Sequence, residues 1–309
     1  MNQVPLIVGA GFAGLLAAHA WPTAVVIDAA PGPMAAHKAL LRFRSDAAAR
    51  LTGTEFRKVM VRKGIFDGEK FVAPNIALCN QYARKTIGLL QDRSIWNIDS
   101  VERYVAPESW YEQLLAAVGS RINWGLPHDA LGLPLTVSTA PMPVNLKTYQ
   151  LAQWSADSSH QIEFRRAAIR VKRWRIPNCD VYQTVYFPGP YTAVYRASIT
   201  GSLLIVEEST RYSDDHQALG WVERAFGIDP ESVEPLDSTE QKYGKVDEIS
   251  APLRKALLFE LTSKFNLYSL GRFATWRNIL LDDVVDDIAV IKRLVNAQHP
   301  YDLSKYASR

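Results

Sequence analysis

The stretch PLIVGAGFAGLLAAHAWPTAVVID, residues 5–28, decides the fold. An apolar run breaks into the pattern G-x-G-x-x-G, an Ala/Leu-rich stretch follows, and a second apolar run ends on Asp28. This order predicts a strand, a helix and a second strand, which is the unit in which the glycine pattern binds a dinucleotide. The alternative is a close contact between helix and strand that needs only small residues.

Each position of the pattern has a physical role in that interpretation. The first glycine would form the tight turn, the second would let the backbone approach a pyrophosphate, and the third would let the helix lie close to the strand. The helix N-terminus would add N–H donors and a positive dipole end, and the acid about twenty residues on would accept a ribose hydroxyl. The candidate residues are Gly9, Gly11, Phe12, Ala13, Gly14, Asp28 and Ala29.

The composition limits the classes of function. The chain of 309 residues is 48% apolar and 22% charged, as expected of a globular protein with two domains or one with insertions. It has no apolar run of about eighteen residues, and because the first predicted strand begins near residue 4 we expect no signal peptide. Cys79 and Cys179 are isolated, which favours a reducing compartment, and a net charge of +3 is too small to indicate nucleic acid. We therefore expect a cytoplasmic protein that acts on a small molecule, without membrane, nucleic acid or metal, and with a homodimer as one alternative for its oligomeric state.

A basic tract follows the second predicted strand, between residues 37 and 63. His37, Arg42 and Arg44 stand at its start, where they could contact phosphates or an anionic substrate. His37 is the candidate general base by its position, with His128 and His160 as alternatives. The rest of the tract is interpreted as a solvated helix face, which includes Arg50, Arg57 and Lys58.

Residues 71–125 are interpreted as mostly helical, and residues 161–210 as an antiparallel sheet of four or five strands. Tyrosines and an arginine could line one face of that sheet and bind an anionic or aromatic ligand. An amphipathic sheet with half-buried tyrosines is the alternative. The candidate residues are Tyr182, Tyr191, Tyr195 and Arg196.

Two further segments are expected to return to the dinucleotide sheet. A short strand at 135–139 ends in small residues and two prolines, so that Thr139 and Ala140 could reach the cofactor. A second strand, near 267–272, ends on a glycine, and a periodic helix with two acids in its first turn covers 282–297.

The segment GRFATWRNILLDDVVDDI, residues 271–288, resembles the C-terminal flavin-binding segment of UDP-galactopyranose mutases. Gly271, Arg272, Ala274 and Asp282 fall on matching positions. The strand VSTAPMP is similar to one in that family and in related amine oxidases, and IEFRR and PYTAVYR are similar to strands of the mutase substrate domain.

The resemblance implies FAD as the cofactor. A single glycine pattern, joined at the other end of the chain by Gly-Arg and a helix N-terminus, also suits a long cofactor with two ends. The resemblance puts Arg272 at the flavin-side phosphates and the amides of residues 281–284 beside the flavin. The additional candidate cofactor-binding residues are Arg44, Thr139, Ala140, Gly271, Arg272, Asp282, Asp283 and Val284.

The sequence also departs from the mutases. Trp276 and Asn278 stand where that family has the two tyrosines that hold the substrate diphosphate, and residues 33–38 replace its Gly-Gly element. These differences argue against UDP-galactose while leaving FAD in place. The candidate substrate-binding residues are Arg42, Tyr182, Tyr191, Tyr195, Arg196 and Trp276.

The sequence as a whole predicts an α/β protein with a Rossmann-like FAD-binding domain that is discontinuous along the chain. That domain would comprise residues 1–36, 130–150 and 245–309, with a mainly helical insertion at 37–129 and an antiparallel-sheet substrate domain at 151–244. The predicted function is an FAD-dependent oxidoreductase that transfers hydride at flavin N5 to or from a small substrate, for which an anionic molecule is one alternative. The alternatives are a mutase-like flavoenzyme without net redox change and a flavin-binding protein without turnover.

Overall fold

A computed structural model describes residues 4–34, 40–92, 95–128, 135–151, 162–212 and 217–297. In chain order its strands are β1 (Leu6–Val8), β2 (Val26–Asp28), β3 (Arg42–Phe43), β4 (Arg57–Phe66), β5 (Phe71–Val72), β6 (Val101–Val105), β7 (Ile122–Trp124), β8 (Thr136–Ser138), β9 (Arg166–Arg175), β10 (Val181–Tyr186), β11 (Val194–Gly201), β12 (Leu203–Ser209), β13 (Glu234–Val246) and β14 (Leu267–Ser269). Its helices are α1 (Phe12–Ala20), α2 (Ala47–Thr52), α3 (Ile76–Ile87), α4 (Trp110–Val118), α5 (Met142–Thr148), α6 (Ala218–Phe226), α7 (Ala251–Phe265), α8 (Arg272–Thr275) and α9 (Leu281–Ala297).

The first sheet is parallel, with the order β14-β8-β1-β2-β7. Strand β1 lies at its centre and pairs with β2 on one side and β8 on the other. Helix α1 connects β1 to β2, and its Leu15 and Leu16 are fully buried in the core beneath α4 and α9. The carboxyl ends of β1, β2, β8 and β14 therefore meet at one edge, where open α/β sheets bind ligands. This is the Rossmann-like arrangement that the sequence predicts.

The second sheet is large and mixed, with the order β13-β9-β12-β11-β10-β4-β6-β3, while β5 pairs with β4. Its pairings are antiparallel except that of β4 with β10, which is parallel. Helix α6 covers one face, where Val222 packs against Leu204 and its neighbours. Helix α3 covers part of the opposite face, where Tyr82 packs against Tyr186 and Tyr195.

The interpretation of residues 37–129 as mainly helical needs correction. Helices α2, α3 and α4 lie there, but β3, β4, β5 and β6 lie there too and extend the second sheet. In β4 the segment KVMVR, residues 58–62, alternates between exposed and buried side chains, because its valines face the sheet core while Lys58, Met60 and Arg62 face solvent. Arg57 and Lys58 are thus on a strand rather than on a helix face.

Two more strands, β7 and β13, differ from the predicted pattern. Strand β7 joins the parallel sheet from within the segment predicted as an insertion. Strand β13 forms an edge of the second sheet, although most of its side chains are exposed and polar. The predicted domain boundaries stay a prediction. Within the described ranges, no helix is both long and apolar enough to cross a lipid bilayer.

Candidate functional site

The three glycines of the first loop are required for three different reasons. Gly9 has a φ of +100°, and a Cβ there would lie 2.1 Å from Thr139 Oγ1. A Cβ on Gly14 would lie 1.8 Å from the carbonyl oxygen of Gly9, so only glycine lets α1 approach β1. Gly11 has ordinary extended backbone, and a Cβ there would meet no atom within 4 Å. The fold itself therefore does not require glycine at position 11, whereas close approach of a ligand does.

The start of α1 suits an anion. The N-cap residue is Gly11, which has no side chain to cap the helix, and the first turn of α1 contains no acidic residue. A helix N-terminus of this kind offers backbone N–H donors and a positive dipole end to a phosphate group. Phe12 is buried and stacks on Trp110 with ring centroids 5.3 Å apart, which fixes the first turn against α4.

Asp28 is held at the end of β2 by backbone groups. Its Oδ2 accepts the N–H of Ala10 at 2.7 Å and its Oδ1 accepts the N–H of Ala30 at 2.8 Å. The carboxylate thus bridges the glycine loop and the turn that contains Ala29, which is exposed. Since a carboxylate has about four lone-pair positions, Asp28 can also accept the hydroxyls of a ribose.

The loops after β8 and β14 close around the same edge. Thr139 Oγ1 donates to the Val8 carbonyl at 2.8 Å, and the Ala140 N–H donates to Ser138 Oγ at 3.3 Å. Gly271 has a φ of +89°, and a Cβ there would lie 3.0 Å from the Cβ of Ala13. The C-terminal Gly-Arg segment therefore packs directly against the first turn of α1.

Arg272 supports the loop that leads into α9. Its Nε and Nη2 donate to the carbonyl oxygen of Ile279 at 3.1 and 2.9 Å. The Arg272 side chain is partly buried, and these bonds close the loop between α8 and α9 on itself. A direct contact of Arg272 with phosphate stays a prediction.

The first turn of α9 carries acids that already serve the fold. Asp282 is 7% exposed and accepts the backbone N–H groups of Arg44 and Ser45 at 3.0 and 3.1 Å. Asp283 accepts the N–H of Leu280 at 2.7 Å, as the third helical residue does in a capping box. Burial alone would raise the pKa of the Asp283 carboxyl, but the Leu280 N–H and the Arg44 guanidinium hold it below its usual value.

These carboxylates reduce the positive potential at the start of α9. Arg44 is half exposed and forms ion pairs with both of them, and Val284 is buried in the core. The arrangement ties residues 44 and 45 to the start of the last helix. Roles of Arg44, Asp282, Asp283 and Val284 towards a cofactor stay predictions.

A cationic side chain lies on the face of the second sheet that α6 does not cover. Arg42 donates its Nε to Thr200 Oγ1 and its Nη1 to Thr184 Oγ1, both at 2.8 Å, and its Nη2 to the carbonyls of Gln183 and Ile199. These acceptors are all neutral. Burial and the neighbouring Arg196 lower the pKa of Arg42 to about 9, which marks the charged guanidinium as unfavourably placed.

The predicted substrate residues fall into separate places. Tyr182 and Arg196 share the sheet face of Arg42, but Arg196 is paired with Glu207. Tyr195 is fully buried, and Tyr191 is 75% exposed in the turn at the other end of β10. Trp276 is fully buried, and its indole N–H donates to the Asp247 carbonyl at 2.9 Å. The structure therefore brings together only Arg42, Tyr182 and Arg196.

The histidine predictions have little structural support. His37 and His160 lie outside the described residues. His128 Nε2 is 2.6 Å from Tyr149 Oη, in a contact whose donor depends on the tautomer. The role of His37 as a general base stays a prediction. In the part of the chain that the structure describes, no cluster of side chains has the composition of a metal site.

A cleft of about 320 Å³ lies beside the Arg42 network. Its walls include residues of the β11–β12 turn, of the segment between β6 and α4, and of the chain before β3. The sequence TGS at residues 200–202 by itself indicates only a turn between two strands. The two hydroxyl residues that flank Gly201 could have indicated a binding site from the sequence, since short polar side chains in a hairpin turn can face a ligand. The residues that line the cleft include Leu41, Pro107, Tyr182, Thr200, Ser202 and Leu203.

Comparison with known proteins gives a match in structure but not in sequence. No protein-family model and no curated protein sequence matches the chain. Its structure superposes on reduced UDP-galactopyranose mutase with a TM-score of 0.67, over 96% of this chain and 94% of the mutase, at 11% identity. The two chains share a fold.

The same fold extends to other proteins. The substrate-free rebeccamycin biosynthetic enzyme RebC matches with a TM-score of 0.53 at 12% identity, and the present chain covers 63% of the RebC chain. The PF1083 protein from Pyrococcus furiosus matches with a TM-score of 0.55 at 10% identity, over 95% of this chain and 98% of that one. The mutase fold confirms the predicted class, a Rossmann-like sheet with a second sheet, and at these identities it shows the fold alone.

Proposed function

We propose that the chain binds FAD at the edge of the parallel sheet and is a flavoenzyme. The observation that carries the proposal is Gly11, whose missing side chain neither the backbone nor the surrounding atoms require. The uncapped start of α1 and the fixed carboxylate of Asp28 lie on either side of it. These features suit a pyrophosphate and a ribose, respectively.

The second end of the site supports FAD rather than NAD. Gly271 packs on Ala13, and Arg272 holds the loop before α9, so the chain returns to the glycine loop from its C-terminal part. A cofactor with a second ring system and a ribityl chain would extend from the glycine loop towards these residues. The resemblance of residues 271–288 to the flavin-binding segment of the mutases supports the same choice.

The residues have distinct tasks in this proposal. The backbone at Gly11, Phe12 and Ala13 binds the pyrophosphate, and Asp28 orients the ribose. Thr139, through its bond to Val8, keeps the loop after β8 clear of the cofactor path. FAD, when bound, supplies hydride acceptance or donation at its N5 position.

For the reaction we propose an oxidoreductase that acts on a small substrate with an anionic or strongly electronegative group. The partly buried charge of Arg42 supports this, because its partners in the described part of the chain are neutral and an anion nearby would compensate it. Arg42 would position the substrate through the hydroxyls that it holds. The electron donor or acceptor would be a separate molecule.

A mutase-like reaction without net redox change is the second candidate. It is favoured by the match over 94% of the mutase chain. It is disfavoured by Trp276, which stands at a tyrosine position of the mutases and is fully buried. A flavin-binding protein without turnover would have the same cofactor site at the glycine loop, but the second sheet would bind no substrate.

The absorbance spectrum of the purified chain tests the cofactor. Bands near 375 and 450 nm, a property of oxidised flavin, are expected, and their absence after reconstitution with FAD would contradict the proposal. Anaerobic mixing with reductants then tests the reaction. Substrate-dependent bleaching and reoxidation indicate an oxidoreductase, whereas turnover of UDP-galactopyranose only by the pre-reduced protein indicates the mutase-like candidate.

A further inference from the structure

The cleft beside the second sheet has apolar walls and a polar end. Leu41, Val105, Pro107 and Leu203 are among its lining residues, and its volume of about 320 Å³ is at the lower end for small-molecule sites. The polar end is the β11–β12 turn, where Gly201 has a φ of +62° and separates Thr200 from Ser202. This shape suits a molecule with one ring and one polar group.

Thr200 is set up as a hydrogen-bond donor. Its Oγ1 accepts the Nε–H of Arg42 at 2.8 Å. A hydroxyl has one proton and two lone pairs, so this bond leaves the proton of Thr200 to be donated. Across the described ranges, that proton has no acceptor among the hydrogen bonds of Thr200.

Ser202 is set up in the same way by a different arginine. Its Oγ accepts the Nη1–H of Arg175 at 3.0 Å. The other terminal nitrogen of Arg175 donates to the Glu108 carboxylate at 3.0 and 3.2 Å. Ser202 therefore also keeps its proton for an acceptor, and the two hydroxyls that flank Gly201 are each backed by a guanidinium.

The other polar groups of the cleft are committed or exposed. Tyr182 Oη lies 3.1 Å from both Arg57 Nη1 and Asp180 Oδ1, so that the phenol accepts from the arginine and donates to the carboxylate. Burial and that carboxylate raise the pKa of Tyr182, which keeps the phenol protonated. Glu55 is exposed at the rim, where solvent and salt screen its charge.

We propose that this cleft binds a small apolar molecule through a carbonyl or carboxylate group that accepts hydrogen bonds from Thr200 and Ser202. At Thr200 the remaining lone pair lies beside the Arg42 guanidinium, whose described partners are neutral, and this charge disfavours a cationic donor at the same place. A hydrogen bond from a hydroxyl polarised by a charged group is stronger than one from an ordinary hydroxyl. The cleft would therefore select acceptors over donors.

The binding claim depends only on the cleft, whereas its interpretation as the substrate site rests on the proposed function. One wall of the cleft is connected to the glycine loop through the start of α4: Pro107 and Glu108 line the cleft and precede Trp110, which stacks on Phe12. A substrate held at Thr200 and Ser202 would be an acid or a ketone with an apolar body.

Ligand-observed saturation-transfer NMR on the purified full chain tests the proposal with three probes of equal size. Benzoate carries a charged acceptor, acetophenone a neutral acceptor, and benzylamine a cationic donor. We expect benzoate, acetophenone or both to bind with a Kd of about 1 mM or lower, and benzylamine to bind at least about tenfold more weakly. Binding of one acceptor but not the other supports the proposal and identifies the acceptor.

Variants locate the binding. Thr200→Val and Ser202→Ala should each lower the affinity for the acceptor probe about fivefold to tenfold. Thr239→Val, at an exposed position of β13, should leave that affinity unchanged. If Thr200→Val does not fold, Ser202→Trp replaces it as the test. The tryptophan would fill the cleft from a partly exposed turn and should abolish binding of the acceptor probes. Equal binding of all three probes, no binding of any, or unchanged affinity in the Ser202 variants would overturn the proposal. A colourless protein that binds benzoate would reject the FAD proposal alone, and a yellow protein that binds no probe would reject the cleft alone.

Discussion

The carboxylate of Asp282 accepts the backbone N–H of Arg44 at 3.0 Å, which joins the last described helix to a segment 238 residues earlier in the chain. The same carboxylate accepts the N–H of Ser45 at 3.1 Å and is almost fully buried. Asp282 thus helps to hold the segment that carries Arg42 and Arg44 against the last helix, together with Asp283, which pairs with the Arg44 guanidinium. The proposed cofactor and substrate regions depend on this connection for their relative position.

Replacing Asp282 by alanine should destabilise the protein strongly. Two partly buried backbone N–H groups would lose their acceptor, at a cost of about 3 kcal/mol in the free energy of unfolding. Asp286→Ala is the matched control, because Asp286 is an exposed acid of the same helix, and its cost should be below about 0.5 kcal/mol. Urea denaturation followed by circular dichroism measures both. Similar losses in the two variants would contradict the role given to Asp282.

The charge of Asp283 should stabilise the start of α9 in a way that depends on pH. Its folded-state pKa is lowered, so its contribution is fully present above the unfolded pKa of about 3.9 and is lost as pH falls through the lower folded value. Asp283→Asn keeps an oxygen acceptor for the Leu280 N–H but removes the charge. We expect the variant to be less stable by about 0.5 to 1 kcal/mol at pH 7, and we expect this difference to shrink as the pH falls below the usual pKa of an aspartate.

Chemical denaturation of both proteins at pH 7, 5 and 3 checks this prediction. Asp286→Asn serves as the control for removal of a charge without a described contact at the helix start. A difference between the parent and Asp283→Asn that stays constant from pH 7 to pH 3 would show that the charge of Asp283 is not the cause.

Gly11→Val should abolish FAD retention while the fold survives. A Cβ at this position meets no protein atom within 4 Å, so the valine has space in the protein but occupies the path of the pyrophosphate. Gly220→Val, in α6, is the control, since the nearest atom to its Cβ is 4.0 Å away on a flexible glutamate. Flavin absorbance per protein and circular dichroism are measured together. A yellow Gly11→Val protein would remove the glycine loop as the cofactor site.

Arg272→Ala should weaken FAD binding by loosening the loop before α9. The variant loses both hydrogen bonds to the Ile279 carbonyl, whereas Arg272→Lys can keep one of them and should lie between the parent and the alanine variant. We expect about a tenfold loss of FAD affinity for alanine by fluorescence titration, equivalent to about 1.4 kcal/mol. Arg293→Ala, exposed on α9, should bind FAD as the parent does. Unchanged affinity in Arg272→Ala would exclude Arg272 from the site.

Local patterns predicted the part of the site that is local in sequence. The glycine loop, α1, and Asp28 follow one another within 24 residues, and the apolar periodicity around them is strong. The contact of Asp282 with Arg44 could not be predicted, because it depends on which ends of two distant segments meet. The same holds for Thr200 and Ser202, whose partners Arg42 and Arg175 come from two other strands.

Some predictions were wrong because the same residue types occur in two different structural environments. A basic run such as that of β4 is compatible with a helix face or with an exposed strand face, and the buried valines that decide between them are few. Strand β13 carries little apolar periodicity because it is an edge strand. Trp276 aligns with a substrate-binding tyrosine in the resemblance, yet here it packs against Phe164 and the core around Met142.

The order of strands in the two sheets has a consequence for biosynthesis. Strand β8, which lies next to the centre of the parallel sheet, follows β4 and β6 in the chain and precedes β9 to β13, so each sheet is completed only after segments of the other have been made. The pairing of β4 with β10 also joins residues about 120 positions apart. Neither sheet can therefore form as an independent folding unit while the chain emerges from the ribosome. The protein should therefore fold slowly and after synthesis, and splitting the gene between the two sheets should yield aggregating fragments rather than two domains.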